Sequence, residues 1–364
     1  MYKLSFLICF AFLFTKSAKS QTTDTINLNA SEQQFSDSIA QVNEQNEDLK
    51  ASRDAYNEGL LLLGTENYIE AITHFTNAIT IDSIFSEAYL SRAKCYEGQN
   101  DELAIVDYLK AFELDSSKVF PLYSVAALQF KTDKELAKQT YSLIIALNES
   151  EFKAISQLGI IAFLAKEYNT AEQYFTQSLA INTNAYTLND RGSCYRKLDK
   201  LDLAVNDYLA AIALNSDLAF VYSNLASVYA NQGDPEKALN YYDLAISIDV
   251  NYALAYNNKA SILLKNKEFD KANSAINKAL VVNPDYAPAY NNKGVINHQL
   301  KKYEEAIDDF DKAISLDDNY AKAYLNRGVS KQMTRDEDGA CSDWYKAKEL
   351  GIMMVKKYLA NDCE

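Results

Sequence analysis

The chain has 364 residues with 36 Lys and Arg against 50 Asp and Glu, a formal charge of −14, and it carries 26 Tyr and 16 Phe beside only 10 Gly and 4 Pro. A net acidic chain without a basic stripe excludes binding to nucleic-acid backbones, which must displace counterions with Lys and Arg, and it disfavours docking on anionic lipid. Few Gly and Pro with many aromatics fit helices joined by short turns, with aromatic rings filling the spaces between helices.

The first twenty residues differ in kind from the rest. Lys3 gives a positive start, Leu4 to Phe14 is an apolar run of eleven residues, and Ala18-Lys19-Ser20 places small residues before Gln21. These are the three parts of a cleaved secretory signal. Eleven apolar residues fall well short of the roughly 20 that cross a bilayer, so no transmembrane segment is expected in the mature chain. Cys9 lies inside the apolar run behind Ile8, which does not fit a lipidation site. Removing Lys3, Lys16 and Lys19 takes the charge to −17, that is 33 basic minus 50 acidic residues.

Residues 21–50 are rich in Gln, Asn, Thr, Ser and Glu and read as a mostly disordered polar spacer. A short helix over Ser31–Lys50 is the alternative, because Phe35, Ile39 and Val42 share one helical face.

From residue 51 to about 350 the chain repeats itself. Asp190, Asn224, Asn258, Asn292 and Asn326 are spaced 34 apart, as are Tyr222, Tyr256, Tyr290 and Tyr324. Within one period Tyr222, Leu225, Ala226 and Tyr229 follow a helical stripe, Asn231-Gln232-Gly233-Asp234-Pro235 breaks it, and Ala238, Tyr242, Ala245 and Ile246 begin another. Each period is therefore a helix hairpin, and since a hairpin cannot bury its apolar faces alone, neighbours must stack into one continuous unit. Small residues recur where the two helices cross, as Gly59, Ala93, Gly159, Gly192, Ala226, Ala260, Gly294 and Gly328. The second-helix alanine recurs nine times: Ala71, Ala104, Ala137, Ala171, Ala204, Ala238, Ala272, Ala306 and Ala340.

This pattern resembles the tetratricopeptide repeat family over roughly residues 52 to 350. Tyr stands where the family has its first Trp, the closing Pro survives only as Pro284, and the third repeat, near Pro121 to Asn148, matches least well. The resemblance implies an all-α, right-handed α-solenoid of about nine hairpins plus a C-terminal capping helix, acting as a non-catalytic scaffold for a protein or peptide partner. In that family the first helices line a concave groove. Residues 351–364 supply the cap: Gly351 ends the last hairpin, and Ile352, Met353, Val355, Tyr358 and Leu359 are its apolar contacts. The stretch from Gly339 to Cys363 resembles the end of exported tetratricopeptide proteins of Bacteroidota, implying the periplasm or envelope of a Gram-negative bacterium.

Candidate chemistry is sparse. His74 and His298 lie in distant repeats, no nucleophile elbow or phosphate loop occurs, and Asp336-Glu337-Asp338-Gly339 lacks the ligand alternation of a calcium loop, so no enzyme, metal or cofactor is expected. Asp308, Asp309 and Asp311 read as a hydrated helix face. Cys95 and Cys194 hold equivalent repeat positions and read as packing residues, whereas Cys341 and Cys363 are a candidate disulfide in an exported chain. On the first helices, residue 224 lies about 200° from Tyr222, opposite the buried stripe. Its equivalents Asn57, Gln157, Asp190, Asn224, Asn258, Asn292 and Asn326 form a polar ladder, with Ser91 and Tyr123 as departures. An amide offers donor and acceptor in one plane, as a peptide backbone does, so these seven residues are the candidate peptide-binding site. As solvent-facing residues they would cost helix stability relative to Ala, by about half a kcal/mol each. Lys259, Lys293 and Arg327 lie beside the buried stripe and read as snorkelling side chains instead of a carboxylate clamp. A structural subunit of an envelope complex, using convex or end surfaces, is the alternative function.

Overall fold

A computed structural model describes residues 28–363, with side chains left out at 28–33, 35, 361 and 362. The expected signal segment, and the expected spacer as far as Ile26 and Asn27, lie outside the described residues. Every regular element among those described is helical. The chain divides into two compact units, one ending at Lys118 and one beginning at Val119. That division falls at the start of the third repeat, the weakest match to the pattern, where the repeat alone suggested one continuous unit.

The first unit holds α1 (Leu28–Gly64), α2 (Tyr68–Ile81), α3 (Ser86–Tyr96) and α4 (Asp101–Leu114). The expected disordered spacer is instead helical from Leu28, running without a break into the first hairpin. No Gly or Pro interrupts residues 28 to 58, so nothing stops the first repeat's helix from extending backward. Packing nevertheless begins near the expected boundary: Ser52 is the first buried residue among those whose side chains are described, and its hydroxyl donates to the Ala78 carbonyl at 3.0 Å.

The second unit contains seven hairpins: α5 (Phe120–Thr132) with α6 (Lys134–Leu147), α7 (Phe152–Leu164) with α8 (Tyr168–Ile181), α9 (Ala185–Lys197) with α10 (Leu201–Leu214), α11 (Ala219–Asn231) with α12 (Pro235–Ile248), α13 (Ala253–Lys265) with α14 (Phe269–Val282), α15 (Ala287–Gln299) with α16 (Tyr303–Leu316), and α17 (Ala321–Met333) with α18 (Glu337–Glu349). A 3-10 turn at Met353–Val355 and the short α19 (Lys356–Asp362) follow. The capping segment is thus a turn plus a seven-residue helix, started by Gly351 at φ +96°.

Five hairpins close on one device, in which a glycine of the first helix meets a ring of the second: Gly59 with Phe75, Gly159 with Phe175, Gly192 with Tyr208, Gly294 with Phe310 and Gly328 with Trp344; in α13 and α14 the pair is Ala260 and Ile276. A Cβ on Gly294 would sit 2.7 Å from the Phe310 ring, and one on Gly328 would sit 2.5 Å from Trp344. Those rings are fully buried, as are Phe175 and Tyr208 in their hairpins. Burying such a ring contributes on the order of 2–3 kcal/mol. Between the two helices of a hairpin the chain folds back through a six-residue closure, as in Glu268 N–H to the Leu263 carbonyl and Lys302 N–H to the Asn297 carbonyl, both 2.9 Å. The residue that turns the corner has positive φ and is usually not glycine: Lys166, Asp199, Lys267, Lys301 and Arg335 hold it in the second unit.

Between hairpins a second device recurs that the missing prolines had hidden. Asn148, Asn215, Asp249, Asn283 and Asp317 end second helices, and each side chain accepts the N–H two residues on, at 2.9 to 3.1 Å. These Asx turns start the next hairpin, at all but Asn283-Pro284 without a proline.

Candidate functional site

In the second unit the first helices of successive hairpins, α7, α9, α11, α13, α15 and α17, touch one another, whereas no second helix meets the next second helix to a comparable extent among the described residues. The unit therefore curls toward its first helices, and the ladder positions lie on that inner face. Gln157, Asp190, Asn224, Asn258, Asn292 and Asn326 are all half-buried. Asn57, in the first unit, is exposed.

Three rungs of the second unit are tied down by their neighbours, where the sequence suggested solvent-facing side chains. Asn224 Nδ2 donates to Asn189 Oδ1 at 2.8 Å, Asn292 Nδ2 to Asn257 Oδ1 at 2.8 Å, and Asn326 Nδ2 to Asn291 Oδ1 at 2.9 Å. Each acceptor belongs to the preceding hairpin, one residue before that hairpin's own rung. Asn292 also donates to Ser261 Oγ at 3.1 Å. The acceptors are buried, Asn257 with 5% of its surface exposed and Asn291 with 4%. A second row of amides thus lies beneath the ladder, tying one hairpin to the next. It was legible as the doublets Asn189-Asp190, Asn257-Asn258 and Asn291-Asn292, but a residue about 100° from the Tyr stripe belongs to neither the buried face nor the opposite one.

Hydroxyls from the second helices reach the same face. Tyr208 meets Ser193 Oγ at 3.0 Å, and Tyr242 meets Ser227 Oγ at 2.9 Å, both serines lying along the ladder. Asp190 is the one carboxylate rung. It accepts from Asn189 Nδ2 at 3.1 Å, and burial pushes its pKa up to about 6 against that hydrogen bond. At the departure Tyr123 the phenol donates to Glu151 Oε2 at 2.9 Å, and burial together with Glu151 raises its pKa. Where the last two hairpins meet the cap, a cavity of about 220 Å³ opens between Val295, His298, Leu325, Asn326, Val329 and Tyr358.

The charged residues beside the stripe do more than snorkel. Arg191 grips Asp207 through two bonds of 2.7 and 2.8 Å, and Arg327 holds Asp343 from Nε at 2.9 Å. Lys293 meets Asp309 at 2.9 Å, and Asn297 donates to the same carboxylate at 2.7 Å. Lys259 pairs with Asp243. In the first unit Arg92 grips Asp107 likewise, at 2.7 and 2.8 Å. All but Lys259–Asp243, which joins α13 to α12 of the preceding hairpin, lock the two helices of a hairpin together, so the cations are already partnered. Asp309 belongs to that lock and is 7% exposed, which corrects its assignment to a hydrated face.

The remaining candidates are local. Cys95 and Cys194 are buried and free, and burial pushes their thiols up to about 11 and about 12. His74 pairs with Glu58 at 3.0 Å, and His298 Nδ1 lies 2.9 Å from Ser330 Oγ, with burial lowering the imidazole pKa. Asp336 caps α18 by accepting from Gly339 N–H at 3.0 Å, a helix-start role for the would-be calcium loop. Among the described residues no cluster of three His, Cys, Asp or Glu could hold a metal, and no helix is long and apolar enough to cross a membrane. Cys341 and Cys363 are joined, with Cα atoms 5.6 Å apart, across the contact in which Tyr358 stacks on Trp344 with ring centroids 4.9 Å apart.

Models of the tetratricopeptide repeat match residues 219–252, 253–286 and 287–320, and a TPR repeat model matches residues 192–233. The chain therefore carries tetratricopeptide repeats, continuous from residue 192 to 320. It is similar to anaphase-promoting complex subunit 6 of Arabidopsis thaliana, 29% identical over 177 residues that make up 46% of this chain and 33% of that protein. It is also similar to tetratricopeptide repeat protein 6 of Homo sapiens, 26% identical over 44% of this chain and 32% of the relative. The match thus spans about a third of these relatives' length. Among solved structures, the APC/C hetero-tetramer Cut9–Hcn1 covers 86% of this chain and 76% of its own at 14% identity with a TM-score of 0.57, which shows the shared α-solenoid fold. Pseudomonas aeruginosa pilF covers 58% of this chain and 98% of its own at 20% identity and a TM-score of 0.50.

Proposed function

We propose that this chain is an exported, non-catalytic scaffold that holds an extended segment of a protein partner against the first helices of its second unit. The observation that carries the reading is the anchored ladder. One N–H of each of Asn224 and Asn326 is committed to the hairpin before it, which fixes the plane of the amide and leaves its other N–H and its Oδ1 to a ligand. Binding groups held in place before the ligand arrives lose less side-chain entropy on association. Along the inner face each such amide can pair with a backbone N–H and C=O of an extended segment without dictating its side chains, and the cavity beside Asn326 has room for one apolar side chain. Secretion, the periplasm or envelope of a Gram-negative bacterium, and a Bacteroidota-like origin complete the proposal, resting on the leader at residues 1–20 and the form of the C-terminal end.

The test uses a partner captured from envelope fractions by the purified chain. Blocking the inner face with Ser261→Arg and Val295→Arg should weaken its binding at least tenfold, about 1.4 kcal/mol. Asn277→Arg, on the exposed side of α14, should leave binding unchanged. The opposite pattern would move function to the outer surfaces and support the alternative of a structural assembly subunit.

A further inference from the structure

Residues 36–51 of α1 form a stretch of helix that belongs to no core. Every described side chain from Ser36 to Ala51 is exposed, although the backbone is helical throughout. Helices in water draw most of their stability from a face packed against something, and this stretch has such a face.

Numbered in heptads with Val42 at position d, Leu28, Phe35, Val42 and Leu49 all fall at d, and Ile39 and Asn46 fall at a. Ile39, Val42 and Leu49 are 48%, 54% and 45% exposed. Apart from Glu32 the acids keep away from this seam. Asp37 and Glu44 take f, Glu47 takes b and Asp48 takes c. The flanking e and g positions hold Ser36, Ser38, Asn43 and Gln45, with Lys50 the one charge. Glu32, at an a position near the helix start, is the one acid on the seam. A strongly acidic chain has thus kept like charges off the flanks where two of its own copies would meet. The polar layer points to the same occupant. An asparagine at a single a position fixes register in a parallel pair because the two amides meet and satisfy each other, whereas an unrelated apolar partner would bury Asn46 unpaired.

We propose that residues 28–49 pair with the same segment of a second copy as a parallel, in-register, two-stranded coiled coil. The seam is about 33 Å long at 1.5 Å per residue and spans three heptads, near the short limit for a coiled coil. The dimer is accordingly reversible, and it joins two repeat arrays so that a partner with two binding segments is held more tightly than one array holds it.

The test is sedimentation of the purified chain from about 1 to about 100 µM, the range in which a short coiled coil exchanges between one and two copies. The mass should rise from one chain to two with concentration. Ile39→Asp with Val42→Asp should hold it at one chain throughout while leaving the thermal unfolding of the repeats unchanged, since both residues are exposed. Val42→Cys should form a disulfide between copies on oxidation, which in-register parallel pairing requires. A chain that remains single at the highest concentration, or a dimer that survives the double aspartate variant, overturns the proposal. A dimer in which Val42→Cys fails to cross-link overturns the parallel register.

Discussion

Replacing Asn292 by alanine separates a ladder that merely faces water from one that ties hairpins together. On an exposed helix face the change is favourable, because alanine is the better helix former by about 0.5–0.7 kcal/mol. At this position it also deletes the donors to Asn257 Oδ1 and Ser261 Oγ, and Asn257 is 5% exposed, so its oxygen is left without a partner. A buried polar atom stripped of its partner costs about 1–3 kcal/mol. The net expectation is a loss of about 1–2 kcal/mol. Asn257→Ala combined with Asn292→Ala removes both partners and should recover part of that loss, giving a coupling of about 1 kcal/mol in a double-mutant cycle. Repeat arrays do not unfold as one cooperative unit, so the readout should be hydrogen exchange of backbone amides in α13 and α15, with overall melting as the second measure. Asn57→Ala, at the exposed rung of the first unit, is the control and should be neutral or slightly stabilising. If Asn292→Ala behaves like Asn57→Ala and shows no coupling to Asn257, the amide row does not hold the hairpins.

Other outcomes follow from single groups. Asp190 has a folded pKa near 6 against about 3.9 when unfolded, so the folded state binds the extra proton between those values and stability falls as pH rises through them. Asp190→Asn should therefore raise stability by up to about 3 kcal/mol at pH near 7.5 and have little effect near pH 4, as urea titrations at the two pH values would show. Arg191→Met leaves Asp207 buried without its cation and should cost about 3 kcal/mol, with melting lowered and hydrogen exchange in α9 and α10 raised; an unchanged melt would mean the pair is dispensable. Breaking the Cys341–Cys363 bridge opens a loop of 22 residues and should destabilise the cap by about 3 kcal/mol, and non-reducing peptide mapping should find the two joined. Intact mass of the chain from its host should place the N-terminus at Gln21; a chain retaining Met1 would remove the export reading.

The hairpins were legible because their signals are local and repeated. A small residue at 294 with an aromatic at 310, or 328 with 344, recurs at the same offset in most periods, and stacking then follows from the need to bury both faces. The helix over residues 28–50 was half legible. Its low hydrophobicity spoke for disorder, while the spacing of Phe35, Ile39 and Val42 and the lack of breakers spoke for a helix. Of the candidate site, the ladder positions came from the period alone. Their anchoring did not, since Asn292 and Asn257 are 35 residues apart and meet only when hairpins stack. The same holds for the Asp309 lock: a carboxylate in the run Asp308-Asp309-Phe310-Asp311 reads as surface until Lys293 and Asn297 are folded against it.

The inner face of the second unit as the binding surface is tested most directly by photo-crosslinking in living cells. A crosslinking amino acid placed singly at Ser227 and Ser261, on the first helices, should trap one partner protein at both positions. The same residue at Asn240 and Asn277, exposed on the second helices, should trap little or none of it. Capture at Asn240 and Asn277, with Ser227 and Ser261 silent, would contradict groove recognition and place the partner on the outer face.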